Sequence, residues 1–294
     1  LCLPSFSIAE ELAPGFDACM KQAKAEAGGS GDGYERSMPA LKCYEAAGKY
    51  WSTIFETEYR KIIPDDNAYD ADKATALEYG MAEFRYEWKS YLDAGCALVS
   101  KSDEYRQNPV SARFCAEETK VMVTRFQEYG VFKKKGAASQ NFSSASGTQK
   151  EELAPGFAAC MKEARAKAGK GSDDAGYERS LPALKCYEAA YTYWRDILST
   201  EYKRIVPDDR VYISLIGTDK LVKDEAYYLY MFYANWQRYQ EAVCTLVAAD
   251  GGGYGKDPEY MRYTTEETKR VVQVLQEYGI FKKTAASTQQ GAIQ

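Results

Sequence analysis

The side chains best suited to chemistry are eight cysteines, Cys2, Cys19, Cys43, Cys96, Cys115, Cys160, Cys186 and Cys244. No two of them form the C-x-x-C spacing of a zinc or redox site. Histidine is absent from all 294 residues. That removes the commonest metal ligand and proton shuttle, and it leaves any Ser or Cys nucleophile without an imidazole base. Paired carboxylates of the glycosidase kind stay formally open, but no feature singles out two acids. Asp65, Asp66, Asn67, Asp70 and Asp72 lack the alternating acid spacing and glycine of a calcium loop, and Gly169-Lys170-Gly171-Ser172 lacks the spacing of a phosphate loop. The expectation is a non-enzyme with no metal and no cofactor.

An even number of dispersed cysteines reads as disulfides, and disulfides place a protein in an oxidising compartment. The competing reading is eight buried free thiols. No run reaches the length of a membrane span, and no signal peptide is read within the sequence. A trimmed precursor and a cytosolic chain would both look like this, and the cysteines favour the first. The expected location is therefore secreted, extracellular or periplasmic. A formal charge of −5 argues against nucleic acid, whose phosphates need a basic face.

The elements that must position these cysteines come from a duplication. Pro39–Ala47, P-A-L-K-C-Y-E-A-A, returns letter for letter at Pro182–Ala190, and E-E-L-A-P-G-F, A-C-M-K and T-E-Y recur around it. The chain is one unit written twice, over residues 9–136 and 151–283. Residues 1–8 form an apolar arm, 137–150 a Ser/Ala/Gly linker and 284–294 a polar tail. Asn141-Phe142-Ser143 matches a glycosylation triplet, a pattern that arises often by chance.

Within the first repeat the periodicity predicts four helices. The first opens at Pro14 and carries Phe16, Cys19, Met20 and Ala23 on one face. The second has Ser37 as N-cap and Pro39 in its first turn, and it stops at Pro64. The third spans about Ala71–Ser100, with Leu77, Met81, Phe84, Trp88, Tyr91 and Leu98 inward. The fourth starts at Asn108-Pro109 and ends at Gly130. The fold class is all-α, as two tandem disulfide-stapled bundles of about four helices each.

A short Gly loop makes the first two helices antiparallel, so Cys19 faces Cys43 and, in the second repeat, Cys160 faces Cys186. Cys96 and Cys115 flank the next loop and form a third pair. The second repeat has Thr264 where the first has Cys115, which leaves Cys244 and the arm's Cys2 unassigned. Three outcomes stay open: Cys2 bonds Cys244 of its own chain, it bonds Cys244 of a neighbouring copy in a head-to-tail contact that propagates, or both remain thiols.

Trp88-x-x-Tyr91-x-Asp93-x-x-Cys96 resembles the signature of the LprI-type lysozyme inhibitor family, and Trp236-x-x-Tyr239-x-Glu241-x-x-Cys244 repeats it with an acid swap. The order Cys19-Met20, Cys43, a helix ending in Tyr59, then Cys96, Cys115 and Glu118-Thr119 also fits. The resemblance covers both repeats. It implies small, exported, all-α, disulfide-bonded domains, some of which inhibit lysozyme. The chain departs from that pattern where Leu-Asn becomes Phe55-Glu56 and Leu198-Ser199, where Gln becomes Arg85 and Tyr233, and at Thr264. Read by its own periodicity, the Trp-Tyr signature is a core stripe first.

Tyrosine is enriched, at 25 residues. Tyr227, Tyr228, Tyr230, Tyr233 and Tyr239 crowd one helix, either as interface residues or as rings filling the bundle's seams. Two functions follow. One is a secreted, non-catalytic binding protein whose partner is a lysozyme-like hydrolase. The other is a structural subunit of an extracellular filament or matrix, bound head-to-tail to copies of itself through Cys2 and Cys244.

Overall fold

A computed structural model describes residues 11–28, 32–66, 70, 74–102, 104–132, 152–168, 180–215, 223–247 and 258–282. The arm with Cys2, the linker with Asn141 and the polar tail lie outside these residues. Among the described residues the fold is all-α, with no strand. The first repeat supplies α1 (Phe16–Glu26), α2 (Met38–Ile62), α3 (Ala76–Ser100) and α4 (Pro109–Glu128). The second supplies α5 (Phe157–Ala168), α6 (Leu181–Ile205), a short α7 (Arg210–Leu215), α8 (Glu225–Val247) and α9 (Pro258–Glu277).

Local chemistry sets the helix ends. Ser37 Oγ accepts the Ala40 N–H at 3.3 Å, and Ser180 Oγ accepts that of Ala183 at 3.4 Å, each with a proline in the first turn. α3 begins later than its apolar spacing suggests, at Ala76. Thr75 and Glu78 form a reciprocal capping box there, with Glu78 taking the Thr75 N–H at 2.7 Å. Leu77 therefore sits in the exposed first turn instead of the core. Gly130 (φ 73°) and Gly279 (φ 72°) take the left-handed conformation that ends α4 and α9.

The chain forms two compact units, which cut across the repeat inside α8. One gathers Leu1–Lys134 with Lys223–Tyr239, and the other Lys135–Val222 with Gln240–Gln294. In the first unit α2 packs on α1 and α4, and α3 on α4. In the second, α6 packs on α5 and α9. Each unit pins the segment before its first helix by the same device. Trp51 Nε1 donates to the Leu12 carbonyl, and Lys120 Nζ, over the Trp51 ring, donates to the Glu11 carbonyl at 3.0 Å. Trp194 Nε1 donates to Leu153, and Lys269 Nζ to the Glu152 carbonyl at 3.0 Å. Pairing the carbonyls in this way satisfies backbone groups that would otherwise be buried bare.

Disulfides join Cys19 to Cys43, Cys96 to Cys115 and Cys160 to Cys186. The first and third bridge α1 to α2 and α5 to α6, and the second ties the end of α3 to α4. In the chain-entropy account a loop of this size gains about 3 kcal/mol of stability from its cross-link.

Candidate functional site

The signature residues are core. Trp88, Tyr91, Trp236 and Tyr239 are all buried. Tyr91 is fully buried, and its hydroxyl donates to Glu118 Oε2 at 2.7 Å, so a buried carboxylate and a buried phenol satisfy one another. Asp93 is half-buried and accepts the Tyr105 hydroxyl at 2.7 Å, while Glu241 is exposed. Cys244 is 2% exposed, is bonded to none of the other described cysteines, and lies 3.8 Å from Thr264 Oγ1. Burial pushes its thiol up to about 11. The four tyrosines proposed for an interface are not an exposed face: Tyr228 is buried, and Tyr227, Tyr230 and Tyr233 are half-buried.

A different set of residues gathers at the surface of the first unit, where the end of α2 meets the first half of α3. Glu56, Tyr59 and Arg60 stand at three- and four-residue steps near the end of α2, which puts them on one face. Pro64 stops the helix and the chain turns back, bringing Asp66 against that face. From α3, Arg85 reaches across. Its Nη1 meets Asp66 Oδ2 at 2.6 Å and its Nη2 meets Glu56 Oε1 at 3.0 Å. The guanidinium also lies over the Tyr59 ring, 4.5 Å from its centre. Arg60 Nη2 holds the same Asp66 oxygen at 2.8 Å, and the Tyr59 hydroxyl donates to Asp66 Oδ1 at 3.1 Å.

The electrostatics follow from this geometry. Partial burial alone would raise the Asp66 pKa, but hydrogen bonds from Arg60, Arg85 and Tyr59 outweigh it and hold the carboxyl below its ordinary value. A depressed folded pKa contributes stability above the unfolded value, and this is lost as pH falls through the folded one. Burial raises the Tyr59 phenol, opposed by Arg85 and reinforced by Asp66. The network is therefore charged and fixed at neutral pH, with each donor already aimed.

Beside it lies an open depression of about 400 Å3 lined by Tyr59, Asp66, Ala82, Arg85, Tyr86 and Lys89. Tyr86 is 68% exposed and Tyr79, two turns earlier on α3, is 50% exposed. Lys89 is exposed one turn beyond Arg85. This arrangement offers flat aromatic area, a fixed charge pair and an ammonium on two rigid helices. It suits recognition of another molecule's surface, by stacking and directed hydrogen bonds.

The second repeat does not reproduce it. Ser199 stands for Glu56, Tyr233 for Arg85, Ala234 for Tyr86 and Gln237 for Lys89. Sequence patterning excludes a calcium loop at Asp65-Asp66 and does not single out this site. The signal was present, because Glu56 and Arg85 are two of the positions at which the first repeat leaves the pattern it resembles. Their opposite charges form the ion pair that joins α2 to α3. Among the described residues no group of three or more His, Cys, Asp or Glu is placed to hold a metal. No helix among them is long and apolar enough to cross a membrane.

Comparison of the chain with protein-family models, with curated proteins and with solved structures finds no match.

Proposed function

We propose that the chain is an exported, non-catalytic binding protein that receives a partner protein on the α2–α3 face of its first unit. The carrying observation is the fixed Tyr59–Arg85–Asp66–Glu56 network beside the exposed Tyr79 and Tyr86. Tyrosine and arginine dominate the energetics of protein interfaces, and side chains already locked in place lose little entropy on binding. The three disulfides support export, because such bonds persist in oxidising compartments. The partner class to test first is a lysozyme-type cell-wall hydrolase, to which the signature resemblance points. Calorimetric titration of the purified oxidised protein with such an enzyme, alongside an inhibition assay, tests the reading. Saturable binding is expected, weakened at least about tenfold by Tyr86→Ala, as for loss of one interface anchor. Absence of binding and inhibition at high micromolar concentration ends the hydrolase proposal. Binding that Tyr86→Ala and Arg85→Ala leave intact moves the contact away from this face.

A further inference from the structure

The aromatic core of the first unit has a symmetry that a single-copy core would not need. Residues equivalent by the duplication are Phe84 and Phe232, Trp88 and Trp236, and Tyr91 and Tyr239. On α3 the first of each pair forms a stripe, at steps of four and three residues, and the second of each pair repeats it on α8. Within the first unit, Phe84 of α3 packs on Tyr239 with ring centres 5.7 Å apart. The exchanged pair, Tyr91 on Phe232, is 5.3 Å apart. Tyr91 and Tyr239, which are each other's equivalents, stack with centres 4.8 Å apart and planes 14° from parallel. Contact i-to-j with its mirror j-to-i, and a self-equivalent pair between them, is the fingerprint of an isologous surface.

We infer that the Phe84–Trp88–Tyr91 stripe is a self-complementary docking surface whose fitting partner is the same stripe of another copy, and that α8 supplies that copy from within the chain. Two other buried groups in the molecule offer no such match. Cys244 is a lone thiol, and the buried Glu118 is already satisfied by Tyr91. The stripe is different because its occupant is present and its chemistry matches. Both faces are apolar rings of the same types at the same spacing, so a stripe freed of its present partner meets an equally good one on a second molecule. In the intact chain each stripe is already covered. That accounts for the burial of all four signature rings, and it leaves the Tyr59–Arg85 face free for other partners.

The test uses the full chain and breaks one stripe at a time. Phe232→Asp with Tyr239→Asp disables the α8 stripe and uncovers Phe84, Trp88 and Tyr91. Sedimentation is then expected to show a concentration-dependent doubling of mass. Phe84→Asp with Tyr91→Asp uncovers the α8 stripe and gives the same doubling. All four substitutions together leave no intact stripe, and this protein stays at the mass of one chain. Circular dichroism reports whether each variant keeps its helices. If the aspartate variants lose them, Tyr239→Ala serves as the milder break, read by the same mass measurement. The inference is overturned if folded one-stripe variants remain single chains up to high micromolar concentration. It is equally overturned if the four-fold variant associates as strongly as the others.

Discussion

The seam between α3 and α4 and the seam between the end of α8 and α9 are built on equivalent positions, yet they are closed by different chemistry. In the first, Cys96 and Cys115 are covalently joined, and the Ser111 hydroxyl caps the Cys96 carbonyl at 2.8 Å. In the second, the equivalent sulfur belongs to a free, buried Cys244, facing Thr264 across 3.8 Å. Glu118 and Glu267, also equivalent, are buried in both seams, but one is satisfied by the Tyr91 phenol and the other by an ion pair with Arg270. Close packing and satisfied polar groups thus suffice to keep the helices together. The disulfide adds stability through the unfolded chain, and its loss does not empty the seam.

The largest expected effect comes from making the first seam like the second. Cys115→Thr removes the bridge and should cost about 3 kcal/mol, read as a lower urea midpoint for the first unit. The reverse change, Thr264→Cys, places a second sulfur opposite Cys244 and should form a fourth bridge, detected as a loss of two mass units. An unchanged midpoint in the first case would show that the cross-link does not stabilise the seam.

Next is a test of close approach. A Cβ on Gly95 would fall well inside van der Waals contact of the Phe114 ring, which is buried, while the second seam has Val243 at that position. Gly95→Ala should destabilise by about 2 kcal/mol through overpacking, whereas Val243→Ala should act through a small cavity instead. Paired thermal melts separate the two mechanisms, because Phe114→Leu should relieve the first variant and not the second.

A further effect, seen only at alkaline pH and absent at neutral pH, is a pH dependence of the second seam. Burial raises the folded Cys244 pKa from 9.0 to about 11, opposed by hydrogen bonds with Thr264 and Tyr260. A raised folded value gives stability that is full below the unfolded pKa and is lost as pH rises through the folded one. The window is therefore about pH 9 to 11, and Cys244→Ala should remove that component from the melting curve. Below it, the native thiol should resist alkylation, being protonated as well as buried.

The caps at Ser37 and Ser180, the stop at Pro64 and the pairs Cys19–Cys43, Cys96–Cys115 and Cys160–Cys186 were legible in the sequence, because each depends on spacing within or between adjacent helices. The Thr75–Glu78 capping box was equally local, and it marks the start of α3 better than the apolar period does. The grouping of Phe232 and Tyr239 with α3 was not legible, since two identical stripes carry no sign of which surface each will meet. The Tyr59–Asp66–Arg85 site was hidden for a related reason. Its members come from two helices and a turn, and only the departures at Glu56 and Arg85 pointed to it.

Helices doubled from one ancestral unit are stapled by three disulfides, with Cys244 left as a buried thiol. Alkylation of the unreduced, denatured protein followed by peptide mass mapping tests this arrangement directly. Linked peptides for Cys19–Cys43, Cys96–Cys115 and Cys160–Cys186, and an alkylated Cys244, are expected. Alkylation of all eight cysteines would contradict it, and with it the export on which the proposed function rests.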